Sequence, residues 1–370
     1  MTGRPSPPDG QRPRIALVAP RNMRFSPVSA TSIDLHIHET AVWSRYAGQF
    51  VVFAEEVEQP FEDVPARFWP RGRAKRHLER LVAAERPDLI VAHQHLPTAA
   101  RLAARFPQVP VALVRHNFQN PPRHLLSALL KRRSFNRLSA VAFVSERCRD
   151  DFLANWRGIR PPVLVTPNGV DSRLWSADRE KERVILFCGR LAPEKGVREA
   201  ALGVERVLAE RPGWRGVFIL ASSPCNDAYA AEVRAILARM GERVRVIPDA
   251  AHEQVRDHMA SAAIAVAPTQ GEESFGRVAV EAMASGAAVI TSRASGFVEV
   301  VGEAGVLLER PDAEAVAREL RGLVDEPERR IALSQAARRR IEERYDLARS
   351  VEAFDRMAAA LLGDEEVRRS

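Results

Sequence analysis

The sequence predicts an α/β protein of two successive domains, each a parallel sheet with helices on both faces. Three observations carry that expectation. Short apolar runs recur along the chain without polar–apolar alternation, as in strands covered on both faces. Each run is followed by a stretch of helical periodicity, the succession that builds parallel sheets. After a charged stretch at 178–183 the rhythm restarts, and 370 residues suffice for two domains of ordinary size.

In the first half, residues 14–19, 49–53, 87–93, 109–114, 140–145 and a segment starting at 163 read as strands. Helices are expected over 32–47, 71–86, 97–106 and 146–156. Open parallel sheets bind ligands beyond the carboxyl ends of their strands. His93 and His95 close the third strand and His116 follows the fourth, which makes them candidate ligand contacts, although a lone histidine is more often structural. Ser29, Ala30 and Thr31 lie in the loop after the first strand, where hydroxyls can take phosphate or an acceptor. His36, His38 and Glu39 tempt a metal reading, but residues two apart on a helix face different ways, so no metal is expected. Asn168 and Gly169 form a turn that ends this half.

In the second half, strands are expected at 183–189, 216–222, 244–247, 262–267, 287–291 and 305–308. Gly189 and Gly196 bracket two cations, Arg190 and Lys195, on a strand-to-helix loop. Without a metal, a diphosphate needs such positive charge, and Arg binds it bidentately. The run at 262–267 leads into Glu273, Ser274, Phe275 and Gly276, then a helix that stops at Gly286. Free amides at that helix start favour an anion, and Gly276 permits close approach. Glu281 lies about a turn and a half into the helix. Two carboxylates beside one anion site suit a polyol, since each accepts two hydroxyl hydrogen bonds. The bland alternative is an ordinary βα unit with solvated glutamates. Further helices are expected at 226–240, 253–260, 313–325, 327–345 and 347–362, with a frayed tail after residue 365.

Composition narrows the class. Hydrophobic residues make up 46%, enough for well-filled cores. No run approaches the roughly 18 apolar residues of a membrane span. Residues 1–14 lack an apolar signal core, so a cytoplasmic chain is expected. Cys148, Cys188 and Cys225 are too few and scattered for a disulfide framework or a zinc site, and are expected reduced. Residues 1–180 carry 27 Lys+Arg against 17 Asp+Glu, and the remainder 28 against 31. The basic half suits an anionic partner. Within it, residues 123–137 read as a basic amphipathic helix fit for peripheral contact with an anionic membrane, or equally as a core-packed helix with a solvated basic end. The basic residues lack aromatic interleaving, which argues against nucleic acid.

The spacing of Glu273 and Glu281 around Ser274, Phe275 and Gly276 closely resembles the donor-site signature of retaining glycosyltransferases of the GT-B type, family 4. Residues 167–171 resemble that family's passage between domains, and Arg190 to Gly196 its cationic loop. The resemblance implies a GT-B fold: two Rossmann-like domains with parallel sheets facing across a cleft, and a C-terminal helix crossing back to the first. The implied boundaries are 1–172, 173–346 and 347–370. It implies a metal-independent hexosyltransferase with a nucleotide diphosphate sugar as co-substrate and no other cofactor. Glu281 then grips the ribose and Glu273 reads the transferred sugar. Arg190 and Lys195 neutralise the leaving diphosphate. His116 contacts the donor sugar near the reacting bond. Ser274, Phe275, Gly276, Gly189 and Asn168 complete the donor contacts. Family members commonly have paired glycines where Ser29, Ala30 and Thr31 stand here, a departure that bears on the acceptor. With His93, that loop is the acceptor or phosphate region. The expected acceptor is a lipid-linked or cell-envelope glycan at the inner face of the cytoplasmic membrane. The alternative reading is a sugar-nucleotide epimerase or hydrolase on the same fold.

Overall fold

A computed structural model describes residues 12–21, 23, 25–28, 30–121, 124–175, 177–222 and 227–364. Ser29, Arg123, Cys225 and the tail after 364 therefore lie outside the described residues. The chain divides into two compact units, 1–168 with 347–370, and 169–346.

The first unit holds a seven-stranded, all-parallel sheet. Its strands are β1 (Ile15–Val18), β2 (Phe50–Glu55), β3 (Ala66–Trp69), β4 (Leu89–His93), β5 (Val111–Arg115), β6 (Ala140–Phe143) and β7 (Val163–Val165), in the order β3-β2-β1-β4-β5-β6-β7. Helices α1 (Ser32–Trp43), α2 (Ala74–Glu85), α3 (Leu96–Arg105), α4 (Leu125–Phe135) and α5 (Glu146–Asn155) connect them. Ile15 pairs with both Phe50 and Leu89, so β1 is central and the strand order reverses between β1 and β4. β1, β2, β4 and β6 are buried throughout, as continuous apolar runs require. Thr31 and Asp34 form a reciprocal capping box that starts α1, and the Ser145 side chain caps α5. The edge strand β3 was not expected. Its four residues lie between Pro65 and Pro70 and are only partly buried, so neither length nor alternation announces it.

The second unit repeats the scheme with β8 (Glu182–Arg190), β9 (Arg215–Ala221), β10 (Val244–Pro248), β11 (Ala262–Ala267), β12 (Ala288–Ser292) and β13 (Val306–Leu308), in the order β10-β9-β8-β11-β12-β13. Its helices are α6 (Val197–Glu210), α7 (Asp227–Arg239), α8 (His252–Ser261), α9 (Arg277–Ala284), α10 (Ser295–Val301), α11 (Ala313–Asp325) and α12 (Pro327–Arg344). The short α10 segment has seven residues and starts after Ala294. Phe187, Phe218, Val204, Val316 and Leu320 are among the residues that fill the core between sheet and helices.

The final helix, α13 (Leu347–Leu362), belongs to the first unit. Phe354 and Met357 are buried there, the Ser44 hydroxyl donates to the Asp355 carboxylate, and the Arg45 amide donates to the same group at 3.0 Å. The division after Asn168 falls four residues before the expected one. The reason is local: Val170 bridges to Asp346, its amide donates to the Tyr345 carbonyl at 3.1 Å, and the Ser172 hydroxyl donates to Asp346 at 2.5 Å. These bonds tie residues 170–172 to the second unit.

Candidate active site

In the second unit the strand order reverses between β8 and β11, the place where doubly wound sheets bind ligands. The loops after these two strands carry most of the expected donor residues. β8 ends at Arg190, and a single 3-10 turn, Pro193–Lys195, leads through Gly196 into α6. Gly196 adopts φ +67°, and a Cβ there would lie 2.0 Å from the Pro268 carbonyl oxygen. The glycine thus lets the loop after β8 lie against the loop after β11. The Gln270 amide closes the contact by donating to the Glu194 carbonyl at 2.9 Å.

That contact brings the charges together. Lys195 Nζ lies 2.8 Å from Glu273 Oε2, both largely covered. Arg190 lies 2.9 Å from Glu194, and this pair is half-exposed. Gly276, at φ +94°, is the N-cap of α9 and has no side chain to cap the helix. A Cβ at Gly276 would lie 2.5 Å from the Phe297 ring, and one at Gly296 2.5 Å from the Phe275 amide nitrogen. The Gly296 amide donates to the Glu273 carbonyl at 2.7 Å. So α10 packs from behind against the loop that presents Glu273, Ser274 and Phe275. Phe275 is buried and Ser274 half-buried.

Glu281 is buried and ionised. Its Oε1 accepts from Arg277 Nε at 2.7 Å and faces His252 Nε2 at 3.4 Å. Burial alone would raise its pKa, but the hydrogen bond from His252 and the charge of Arg277 hold it below the ordinary carboxylate range. Trp175 packs edge-on against His252 at 5.3 Å. The sequence reading missed Arg277 and His252. Arg277 was findable as the i, i+4 partner of Glu281, whereas His252, 29 residues away, gives no local signal.

In the first unit, β4 ends at His93 and His116 directly follows β5. His93 Nδ1 lies 3.0 Å from His116 Nε2, and His36 of α1 packs edge-on against His116 at 5.0 Å between ring centres. Burial and the neighbouring imidazoles push the pKa of both His93 and His116 well below the ordinary value, so both are neutral near pH 7. His93, a candidate for the acceptor or phosphate region, is 1% exposed and meets His116. His95 is a helix cap: its Nδ1 accepts from the Thr98 amide. His38 turns away from His36 to Asp63, at 2.8 Å, and stacks on Phe61. Thr31 spends its hydroxyl on Asp34 at 2.7 Å, and Ala30 is half-buried. Asp34, buried and braced by Thr31, has its pKa raised by that burial to about 6. Asn168 is buried at the end of the first unit. Gly189 is the penultimate residue of β8. Cys148 is buried and Cys188 half-buried, both as free thiols.

Comparison with known proteins fits this layout. Residues 36–174 match the family model described as Glycosyltransferase Family 4, and residues 175–340 match that of Glycosyl transferases group 1. Glycogen synthase of Mycobacterium tuberculosis is 26% identical over 280 residues, covering 70% of this chain and 66% of that protein. D-inositol 3-phosphate glycosyltransferase of Streptomyces avermitilis is 33% identical over 222 residues, covering 55% and 47%. The lipopolysaccharide core biosynthesis mannosyltransferase LpcC of Rhizobium leguminosarum is 25% identical over 272 residues, covering 68% and 75%. The chain thus spans about half to two thirds of the length of the first two relatives. Among solved structures, Anabaena HepE in complex with UDP and glucose superposes with a TM-score of 0.76 at 18% identity, over 94% of this chain and 100% of that one. Sucrose-phosphate synthase from Thermosynechococcus elongatus gives 0.74 at 18%, over 95% and 100%. At such identities the likeness establishes the GT-B fold alone. With that fold, and with the two family models in tandem over most of its length, the chain belongs to the group 1 glycosyltransferases, a Glycosyltransferase Family 4 domain followed by a Glycosyl transferases group 1 domain.

Proposed function

We propose that this chain is an enzyme that takes a sugar from a nucleotide diphosphate sugar and passes it to an acceptor with retention, without a metal at the donor site. The observation that carries the reading is the Lys195–Glu273 pair at the start of α9. A bound diphosphate competes for Lys195, with Arg190 and the α9 amides as further donors. Glu273, released from Lys195, then accepts from sugar hydroxyls. Glu281 is pre-set by Arg277 and His252, so gripping the ribose costs little reordering of its carboxylate. As the glycosidic bond breaks, Lys195, Arg190 and the amides stabilise the leaving diphosphate. Retention follows from attack on the same face, guided by the leaving phosphate. His116 serves the donor sugar beside the reacting bond.

Thermal shift against UDP-, GDP- and ADP-sugars, each with magnesium or with EDTA, tests the donor site. A donor at about 100 times its dissociation constant adds about 2.7 kcal/mol, and the reading expects one base to stabilise equally in both conditions. No shift with any donor counts against it. The alternative, an epimerase or hydrolase, predicts donor consumption without acceptor at a rate comparable to the full reaction.

The acceptor reading rests on α4. Leu125, Leu126, Leu129 and Leu130 are 87%, 69%, 51% and 58% exposed. Lys131, Arg132 and Arg133 follow them on the same helix, and Phe135 anchors its end in the core. An apolar stripe beside cations suits the interface of an anionic bilayer, where each nearby cation adds about 1 kcal/mol. On this reading the enzyme sits peripherally on the inner face of the cytoplasmic membrane, with a lipid-linked or envelope glycan as acceptor. The name of the Rhizobium relative, a lipopolysaccharide core mannosyltransferase, accords with this. Among the described residues, no helix is long and apolar enough to cross a membrane. In flotation with phosphatidylglycerol vesicles the protein is expected to rise at low salt and to be released at high salt. The double variant Leu126→Asp, Leu130→Asp is expected to stay at the bottom while keeping its donor-induced thermal shift. Flotation of that variant at the wild-type level would end the membrane reading.

A further inference from the structure

We propose that His36, His93 and His116 of the first unit form a binding site for one divalent transition-metal ion of the zinc class. The three side chains come from α1, the end of β4 and the residue after β5, and are 5%, 1% and 5% exposed. One ring nitrogen from each lies within 4.8 Å of the others. Ring centres stand 5.0, 5.3 and 5.8 Å apart.

Packing alone accounts poorly for this cluster. Imidazoles gathered in an interior are retained when their polar atoms are satisfied. Here His93 Nε2 is buried without a hydrogen-bond partner, which is unfavourable for a polar atom cut off from water. Coordination is close to the geometry already present. Two imidazole nitrogens bound to one zinc at 2.0–2.1 Å in a tetrahedral site lie roughly 3.4 Å apart. His93 Nδ1 and His116 Nε2 stand 3.0 Å apart, so an ion can take the place of the proton they share once the rings part slightly. Rotation of the His36 ring brings in the third ligand. Three histidines leave a fourth position for water or another small ligand. All-imidazole ligation suits zinc, cobalt, nickel or copper rather than magnesium or calcium, which prefer oxygen. The site is distinct from the cation loops of the second unit and does not depend on the transfer reaction. Only one corollary rests on the proposed function: an ion on His116 withdraws that side chain from donor sugar, so zinc is expected to inhibit transfer.

The test uses the full chain, stripped with EDTA and freed of chelator, titrated with Zn(II) alone and with Co(II) alone. One equivalent of each is expected to bind. The cobalt form should show visible ligand-field bands but no sulfur-to-metal charge transfer, since the three ligands are imidazoles. His36→Ala and His93→Ala are each expected to weaken binding by roughly 100-fold or more, whereas His38→Ala and His95→Ala, which change neighbouring histidines outside the cluster, are expected to keep it. Absence of stoichiometric binding by the wild-type chain overturns the proposal, and so does undiminished binding by His93→Ala. If the alanine variants fail to melt cooperatively, His93→Gln and the cobalt spectrum of the wild type decide instead. A spectrum without ligand-field bands rejects the site. The donor-induced thermal shift, measured separately in EDTA, reports on the transfer reading whatever the metal result.

Discussion

Replacing Glu273 with alanine is expected to lower kcat by roughly 100- to 1,000-fold, the range seen when one preorganised polar contact to a transition state is removed. The expectation rests on where the carboxylate stands. It is the partner of Lys195 at 2.8 Å, and its loop is held by the Gly296 amide on its carbonyl. Loss of the carboxylate removes the hydroxyl acceptor but leaves Lys195 unneutralised and free for phosphate. The split between constants is therefore diagnostic. Donor KM should change little or fall, while kcat collapses. Glu273→Gln keeps shape and a hydrogen-bonding oxygen but loses the charge, and should fall between the two. Steady-state kinetics with the donor identified by thermal shift would settle it. Wild-type turnover in the alanine variant would remove Glu273 from the mechanism.

Gly196→Ala should give the largest loss of stability among single methyl additions in the second unit. Left-handed backbone costs an alanine roughly 1–2 kcal/mol. The added carbon would also stand 2.0 Å from the Pro268 carbonyl oxygen, 2.8 Å from its carbon and 3.1 Å from its ring. Backbone cannot rotate away as a side chain can, so the two loops must part, at a cost of about 1–3 kcal/mol. For a unit of this size each kcal/mol lowers the melting temperature by roughly 2–4 °C, which puts the expected drop of its transition at roughly 4–20 °C. Gly48→Ala is the control. Gly48 has a similar φ of +79° but nothing within 4 Å of a new Cβ, so it should show the backbone cost alone. Calorimetry of both variants separates strain from collision, and equal losses would remove the Pro268 contact as a cause. Because the parted loops also carry Lys195 away from the start of α9, with which it shares the diphosphate, Gly196→Ala should weaken donor binding as well.

Much of this is legible in the sequence, and the reason is period and length. β2, β4 and β11 are nearly continuous apolar runs, because burial on both faces of a parallel sheet demands it. β3 escaped because its four residues lie at an edge, where one covered face is enough. Candidate contacts within the donor loops were legible because glycines and charges are concentrated at strand ends. Arg277 and His252, which brace Glu281, were not named. The first required applying helix spacing to a residue already chosen, and the second arrives from a different helix. The imidazole cluster shows the same limit. In sequence His36 stands beside His38, whereas the fold sets it beside His93 and His116, from strands that succeed one another in the sheet.

The place of α13 in the first unit has a consequence for how the chain is made. Strands β1 to β7 leave the ribosome first, but Phe354 and Met357, which complete their core, are separated from Asn168 by the 178 residues of the second unit. At synthesis rates of 5–20 residues per second that interval lasts roughly 10–35 s. Throughout it, the apolar surface that α13 later covers is open to water and to chaperones, while the second unit, contiguous in sequence, can close as soon as it emerges. The domain encoded first is thus the last to be finished, and a ribosome stalled at any point in the second unit leaves it incomplete.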